Sequence, residues 1–595
     1  MSSHLKKIPF ALSLVSLLSF GLFLRLYNVD NKFLTCETHN FLWGVRLHNL
    51  SFFNFGNWID NFFTFLFATL GGFRYILSTF VFSQVYSWLG IPISEFWILA
   101  FHSIVGTVLI GAVACLGAVW GGPIVGLLGA SLVTLNGGPV WSSRWDNGEP
   151  LVSLTVTLAV LIPSLLGPTR SVLKALMYGL VLALVASMES FMVFPLLFFY
   201  WVLAFGGSTQ GLVGKLRQTL RFFLTPPGLL IVGIPLAMLA IHGLVWLKAG
   251  RTSNLGMFGL MTLNYSARLT LTTFVPRVVW VFNHYSIYFF GSVFFPATLI
   301  AAFFLFIFYR SRTPRALLCS AAGFLYFFVA FVFTPNTLIR AEHLYICEAL
   351  NSVFIASVWY YFGKTLLSFS KPAFRPGVTW ALSTLAVFWI FWQGKAALTS
   401  TMKEPILVHP FKSVGYFTRK FGSREDTLFS LWKCGRGECY NHFLEYYTGK
   451  QIIDLGEPKL YPRQLFCVGS APIPVLLDHY GLKDFSFYLR LVKIYKEFPD
   501  NRREILYEDP GDSLKIVMEN GLRPVAQITY RNELLAEIYS NRAMPLVQMD
   551  MDTYDPLWET EFANLQDLLG GPRVGLVSTF GEHWSLDSGY PKAYP

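Results

Sequence analysis

The chain has 595 residues, of which 54% are hydrophobic and 14% charged, with a net charge of +11. An ordinary soluble domain is about 45–50% apolar, and the acids are unevenly spread: residues 1–400 hold 9 of the 35 Asp and Glu and 24 of the 46 Lys and Arg, and the remainder hold the others. A chain that is soluble throughout is therefore excluded, and without any Lys/Arg-rich run or stripe the basic first part does not read as a nucleic-acid binder.

In chain order, Lys6 and Lys7 precede an apolar run, "IPFALSLVSLLSFGLFLRLY". No small-x-small cleavage site follows, so this reads as a first transmembrane helix with a cytoplasmic N-terminus and not as a signal peptide. A helix needs about 20 apolar residues to span the hydrocarbon core. On that measure the spans fall near 8–27, 95–117, 122–139, 150–167, 172–188, 190–206, 227–247, 287–309, 316–334, 343–363 and 378–395, eleven in all. Residues 28–94, with "NFGNWIDNFFTFLF", form a long outer loop suited to amphipathic helices in the membrane interface. A second long outer loop, 248–286, carries Lys248, Arg251, Arg268 and Arg277.

Loop charge checks this topology. The inner loops carry Arg170, Lys215, Arg217, Arg221, Arg310, Arg312, Arg315, Lys364, Lys371 and Arg375 and no acid, as the positive-inside rule requires. The acids Asp30, Glu37, Asp60, Glu95, Asp146, Glu149, Glu189 and Glu342 all fall on the opposite face, with Glu348 about one turn inside a span. An odd number of spans puts the C-terminal part outside. The expected architecture is mainly α: a polytopic membrane domain over 1–395 and a C-terminal α/β soluble domain over 396–595 on the outer face.

In that second domain, "DTLFSLW", "KQIIDLG" and "RQLFCVG" read as strands, and "NHFLEYYTG", "IPVLLDHYG" and "NELLAEIYSNR" read as helices. It contains no phosphate-binding glycine loop. Cys115, Cys319 and Cys347 lie in apolar runs and read as small core residues. Cys434 and Cys439 are close enough in sequence to bridge in an oxidising compartment or to stay reduced.

The ionisable residues at the outer face form a candidate site. They are Glu37 and His39 in "FLTCETHNFLW", Arg144, Asp146 and Glu149 in "SSRWDNGEPLVSL", and Arg340, His343 and Tyr345 in "LIRAEHLYICEA". Ionisable groups at membrane depth are expensive and usually face a cavity or a partner. Cations make charge-assisted bonds to a lipid phosphate, and a carboxylate opposite them can take a proton from an attacking hydroxyl. A structural role is the competing reading for each: Glu149 before Pro150 is a good helix start, and Arg340 and His343 suit interfacial anchoring. Glu37, His39, Asp146 and Glu149 are compatible with a divalent cation, but their spacing does not define a metal site.

The motifs resemble the GT-C fold polyprenyl-phosphate-sugar glycosyltransferases, which include the protein O-mannosyltransferases and the lipid A aminoarabinose transferase. The resemblance covers roughly residues 8–365. "LRLYNVDNKFLTCETHNFLW" is similar to the family's first-span exit and the acidic motif opening its first outer loop. "WSSRWDNGEPLVSLTVTLAV" is similar to its serine-arginine segment with an acid at the fourth span, and "LIRAEHLYICEALN" to the loop near the lipid phosphate. Cys36 stands where the family has an Asp, so the resemblance moves the base role to Glu37.

It implies an inverting glycosyltransferase with a polyprenyl-phosphate-linked sugar as donor and a glycan, lipid or protein as acceptor. Glu37, Glu149 and Asp146 would be its catalytic acids. Arg144, Arg340, His343, Tyr345, Arg268 and Arg277 would hold the phosphate, with His39 auxiliary. The expected location is the bacterial inner membrane with the C-terminal domain in the periplasm. Two alternatives stay open: a catalytically inactive scaffold of the same fold, which the Cys36 departure keeps open, and a lipid or solute transporter, which the one-sided charge placement disfavours.

Overall fold

The computed structural model describes residues 7–27, 29, 85, 86, 88–91, 95–144, 149–166, 171–185, 212–248, 271–284, 294–309, 313–333, 348–423, 426, 428–430, 452–454, 486–509 and 511–551. The described residues form two compact units, one ending at Met402 and the other taking in the residues from Lys403 onward.

The first unit is helical. Its helices are α1 (Lys7–Leu26), α2 (Glu95–Gly121), α3 (Pro123–Leu135), α4 (Gly137–Ser142), α5 (Glu149–Leu166) and α6 (Val172–Val185). Then come α7 (Leu212–Phe223), α8 (Pro226–Lys248), α9 (Leu271–His284), α10 (Phe294–Phe308), α11 (Arg315–Phe333), α12 (Glu348–Phe369) and α13 (Arg375–Met402). Among the described residues three helices are long and apolar enough to cross a membrane. Arg217–Phe223 and Pro226–Ala237 meet at 77° and count as a fourth span if taken as one bent unit. The expected span over 190–206 lies outside the described residues.

The span expected over 122–139 is broken in two. α3 ends at Leu135, and Asn136, extended at ψ 131°, separates it from the short α4. The turn from α2 into α3 uses Gly122 at φ +96° followed by Pro123, a left-handed position that suits glycine and a first-turn proline. α2 and α3 then approach closely. A Cβ on Gly117 would lie 2.8 Å from Gly126 Cα, and one on Gly126 would lie 2.3 Å from Ala114 O. Small residues let helix backbones pack this tightly.

Aromatic and hydroxyl contacts hold the later helices. Phe294 of α10 stacks on Trp359 of α12 and on Trp389 of α13, at 5.4 and 5.3 Å between centroids. Trp359 Nε1 donates to Thr298 Oγ1 at 3.0 Å, and Tyr178 Oη of α6 donates to Ile162 O of α5 at 2.9 Å. α13 turns Trp380, Phe388, Phe391 and Trp392 outward, each at least 59% exposed. Such a surface is intolerable in water and ordinary against lipid. Cys319 is buried as expected, whereas Cys115 is exposed on α2 and is not a core residue. Cys347, Cys434 and Cys439 lie outside the described residues.

The second unit is a mixed sheet structure. A six-stranded sheet has the order β3-β2-β4-β8-β7-β9, and a three-stranded sheet the order β1-β5-β6. The strands are β1 (Ile406–Val408), β2 (Leu428–Ser430), β3 (Ile452–Asp454), β4 (Phe487–Leu491), β5 (Lys493–Glu497), β6 (Arg503–Glu508), β7 (Arg523–Tyr530), β8 (Glu533–Ser540) and β9 (Val547–Asp550). β2 runs parallel to β3 and β4, and β8 is antiparallel to both of its neighbours.

α14 (Phe411–Phe421) buries Phe411, Val414 and Phe417, and Phe417 meets Phe487 of β4 edge-on at 5.9 Å. α15 (Asp512–Glu519) precedes β7. β2 and β3 fall where "DTLFSLW" and "KQIIDLG" predict strands. "NELLAEIYSNR", expected as a helix, is instead the interior strand β8. "RQLFCVG", "NHFLEYYTG" and "IPVLLDHYG" lie outside the described residues.

Candidate functional site

Among the described residues of the helical unit, four charged side chains are buried: Arg25 at 0% exposure, Arg144 and Glu348 at 2%, and Glu149 at 1%. Arg25 occupies the last turn of α1. Arg144 closes the turn after α4, and Glu149 and Glu348 stand in the first turns of α5 and α12. An acid in a first helical turn faces unsatisfied N–H groups and the positive end of the helix dipole. That accounts locally for both carboxylates, but not for their complete burial.

The two arginines converge on the end of α1. Arg25 Nη1 donates to Gly21 O at 3.2 Å, and its Nη2 donates to Val133 O of α3 at 3.0 Å. Arg144 Nη1 donates to Leu24 O at 2.5 Å and makes a longer contact of 3.4 Å with Arg25 O. Leu24 O and Arg25 O are among the carbonyls a helix C-terminus leaves without intrahelical partners, where a cation is favourable. Ser103 Oγ of α2 lies 3.1 Å from both Arg25 O and Ser143 O, and Ser143 Oγ donates to Pro139 O at 2.7 Å.

Room for these side chains comes from missing ones. A Cβ on Gly106 would lie 2.1 Å from Ser143 Oγ and 3.0 Å from Arg25 Nε. One on Gly21 would lie 2.4 Å from Ile110 Cδ1. Arg25 lies within electrostatic reach of both Glu348, which attracts it, and Arg144, which repels it. Arg25 Nε and Glu348 Oε1 are buried and have no hydrogen-bond partner among the described residues.

Of the residues that the sequence proposes, Arg144 and Glu149 are thus buried near the ends of neighbouring elements. Arg144 is engaged with the backbone of α1. Arg277 lies on α9, and nothing further is described of its side chain. Glu37, His39, Asp146, Arg268, Arg340, His343 and Tyr345 lie outside the described residues.

Among the described residues no three His, Cys, Asp or Glu gather as a metal site. Sequence reasoning passed over Arg25 and Glu348 as site residues. The one available signal was that each is an isolated charge at the edge of an apolar run, and such charges are rarely idle.

No protein-family model matches the chain, and no curated protein matches it. Solved structures do. One is the oligosaccharyltransferase of Archaeoglobus fulgidus in complex with Zn and sulfate, at 12% identity and a TM-score of 0.49, covering 80% of this chain and 68% of that one. Another is the same organism's AglB in complex with an inhibitory peptide and a dolichol-phosphate, at 11% identity and a TM-score of 0.48, covering 88% and 80%. A third is ArnT from Cupriavidus metallidurans bound to undecaprenyl phosphate, at 10% identity and a TM-score of 0.49, covering 91% and 99%. Each of these matches covers most of this chain, at 10–12% identity and a TM-score below 0.5.

Proposed function

We propose that the chain is a membrane glycosyltransferase that moves a sugar from a polyprenyl-phosphate donor to an acceptor hydroxyl on the outer face of the membrane. The observation that supports this reading is the burial of Arg25, Arg144, Glu149 and Glu348, each at most 2% exposed, near the ends of apolar helices. Charge is not buried among such helices without a task.

The transfer balances as follows. The acceptor oxygen attacks the anomeric carbon, the bond from that carbon to the phosphate oxygen breaks, and the configuration inverts. The acceptor proton passes to a carboxylate, and polyprenyl phosphate leaves. In this reading Glu37 is the general base, Glu149 or Asp146 orients the acceptor, and Arg340, Arg268 and Arg277, with His343 and Tyr345, neutralise the departing phosphate. His39 orients Glu37. Eleven spans would put the N-terminus in the cytoplasm and the 396–595 domain in the periplasm of a bacterium.

The test is transfer of a radiolabelled sugar from its polyprenyl phosphate in proteoliposomes. Glu37→Gln is expected to abolish transfer while leaving the protein folded, and full activity in that variant removes Glu37 from the mechanism. A wild-type chain inert toward every polyprenyl-phosphate sugar, but able to move solute or lipid across the vesicle, would favour the transporter reading.

A further inference from the structure

α8 has 23 residues, a length of about 34 Å at 1.5 Å per residue. That alone crosses a hydrocarbon core of about 30 Å, so α7, directly before it, is not needed to complete a span. The two helices meet at 77°. With α8 tilted from the bilayer normal by an ordinary angle of about 20°, α7 still lies nearer the membrane plane than the normal.

The corner between them is built by its own residues. Thr225 precedes α8, and Pro226 takes the first helical position, where its missing N–H costs nothing. Thr225 Oγ1 donates to Phe222 O at 2.6 Å and accepts from the Gly228 N–H at 3.4 Å. The Thr225 N–H also donates to Phe222 O, at 2.9 Å. One residue thus ties the last turn of α7 to the first turn of α8. A Cβ on Gly228 would lie 2.1 Å from Phe222 O and 2.6 Å from Phe223 Cα, so the corner closes on backbone. α8 is itself seated on α6, where a Cβ on Gly179 would lie 3.0 Å from Leu230 O.

The sides of α7 differ. Thr219 is fully buried. Arg217, Leu220 and Arg221 stand at positions i, i+3 and i+4, which share one helix face, and all three are exposed. Leu220 is 50% exposed, and Leu224, just past the helix end, is 76% exposed. Leucines displayed beside arginines suit neither water nor hydrocarbon. They suit the boundary, where leucines meet acyl chains and arginines extend to phosphates.

Like charges four residues apart repel. Residues 207–226 contain no acid, and among the described residues neither arginine has an ion pair. Arg221, in the last turn, is favoured by the helix dipole, but Arg217 stands a turn earlier. The counter-anion for the pair comes from outside the segment. Phosphate accepts charge-assisted bonds from guanidinium, and the membrane interface presents it on lipid.

We infer that α7 is a binding site for an anionic phospholipid of the leaflet on which it lies. Arg217 and Arg221 hold the headgroup phosphate, and Leu220 and Leu224 lie against the acyl chains. The expected topology puts this site among the inner loops, on the face opposite the proposed transfer. It holds whether or not the chain transfers a sugar.

The experiment uses the full chain in phosphatidylcholine nanodiscs, with and without about 30 mol% phosphatidylglycerol. Hydrogen exchange is followed in the peptide 212–225. Phosphatidylglycerol is expected to slow exchange there about threefold or more, and inorganic phosphate added to phosphatidylcholine discs is expected to leave it unchanged. Arg217→Gln combined with Arg221→Gln should remove the slowing. Arg315→Gln combined with Lys364→Gln takes the same charge from exposed inner-loop positions on α11 and α12, and should keep it. All four residues are exposed, so the variants are expected to fold. No slowing in wild type, or slowing that survives loss of Arg217 and Arg221, overturns the inference. Equal loss in the Arg315 and Lys364 variant also overturns it, because a diffuse attraction of the whole basic face would then be at work. Equal slowing by inorganic phosphate overturns the lipid as the ligand.

Discussion

Arg144 separates two accounts of the same residue. The sequence motif makes it a phosphate ligand, whereas the structure engages it with the end of α1. Arg144→Met keeps an unbranched apolar stem and removes every donor. The variant leaves Leu24 O, now 2.5 Å from Arg144 Nη1, without that partner, and a buried unsatisfied carbonyl costs about 1–3 kcal/mol. Arg25 O is affected less, since its contact with Arg144 is 3.4 Å and Ser103 Oγ remains beside it. Loss of a cation at the helix C-terminus adds about 0.3–1 kcal/mol. Removing a desolvated guanidinium offsets part of this, and the net expectation is a destabilisation of about 2 kcal/mol. The assay is unfolding of the purified protein in mixed micelles with increasing sodium dodecyl sulfate, alongside the donor KM. Stability within about 0.5 kcal/mol of wild type together with a large rise in donor KM would refute the capping role and restore the phosphate assignment.

Gly106→Ala should cost about 1–3 kcal/mol by overpacking, because its methyl would sit 2.1 Å from a Ser143 hydroxyl that is itself bonded to Pro139 O. Gly137→Ala on α4, with nothing within 4 Å, is the matched control and should be near neutral in the same unfolding assay. In the second unit, Arg542 grips the 5%-exposed Asp426 through two bonds, of 3.0 and 2.7 Å. Burial pushes that carboxyl up, but the Arg542 fork, the Ser423 N–H and the Ser486 hydroxyl outweigh it and hold the group well below the usual carboxylate range. Arg542→Ala should cost about 1–2 kcal/mol, a figure reduced because the arginine is 45% exposed. A depressed folded pKa confers stability that is complete above the unfolded value and lost as pH falls through the folded one. The difference between wild type and variant should therefore be flat from about pH 7 to 5 and shrink below about pH 4, read by hydrogen exchange in β2 and β8.

The helices were legible because lipid imposes a single requirement on them. α1 at Lys7–Leu26, α2 at Glu95–Gly121 and α8 at Pro226–Lys248 begin and end within a few residues of their apolar runs. The break at Asn136 was not legible, since the apolar run continues through it on both sides. β8 was misread because Leu534, Leu535, Ala536 and Ile538 are spaced as a helix would space them and its Glu and Ala are helix formers. Its tertiary partners decide otherwise. Glu537 lies directly across from Arg490 on β4 and accepts from it at 2.6 Å, and Tyr539 Oη and Gln527 Nε2 also donate to it. No local pattern announces a buried acid satisfied in this way. Arg25 escaped for a related reason: two of its partners are backbone carbonyls, which have no identity in a sequence, and its countercharge Glu348 lies far along the chain.

The contact between Gly117 and Gly126 has a consequence for how much of α2 and α3 their sequence must specify. Along most of both helices, one apolar side chain can replace another at small cost, because lipid and neighbouring side chains adapt. At these two positions the opposing surface is backbone, which cannot adapt, so even a methyl group forces the helices apart. A library randomised over 110–130 and selected for folded protein would drift among Leu, Ile, Val and Phe along most of both helices, yet return glycine at 117 and 126, where backbone faces backbone, and at 122, where the turn is left-handed. The identity of this hairpin resides in two absent side chains more than in the many that are present.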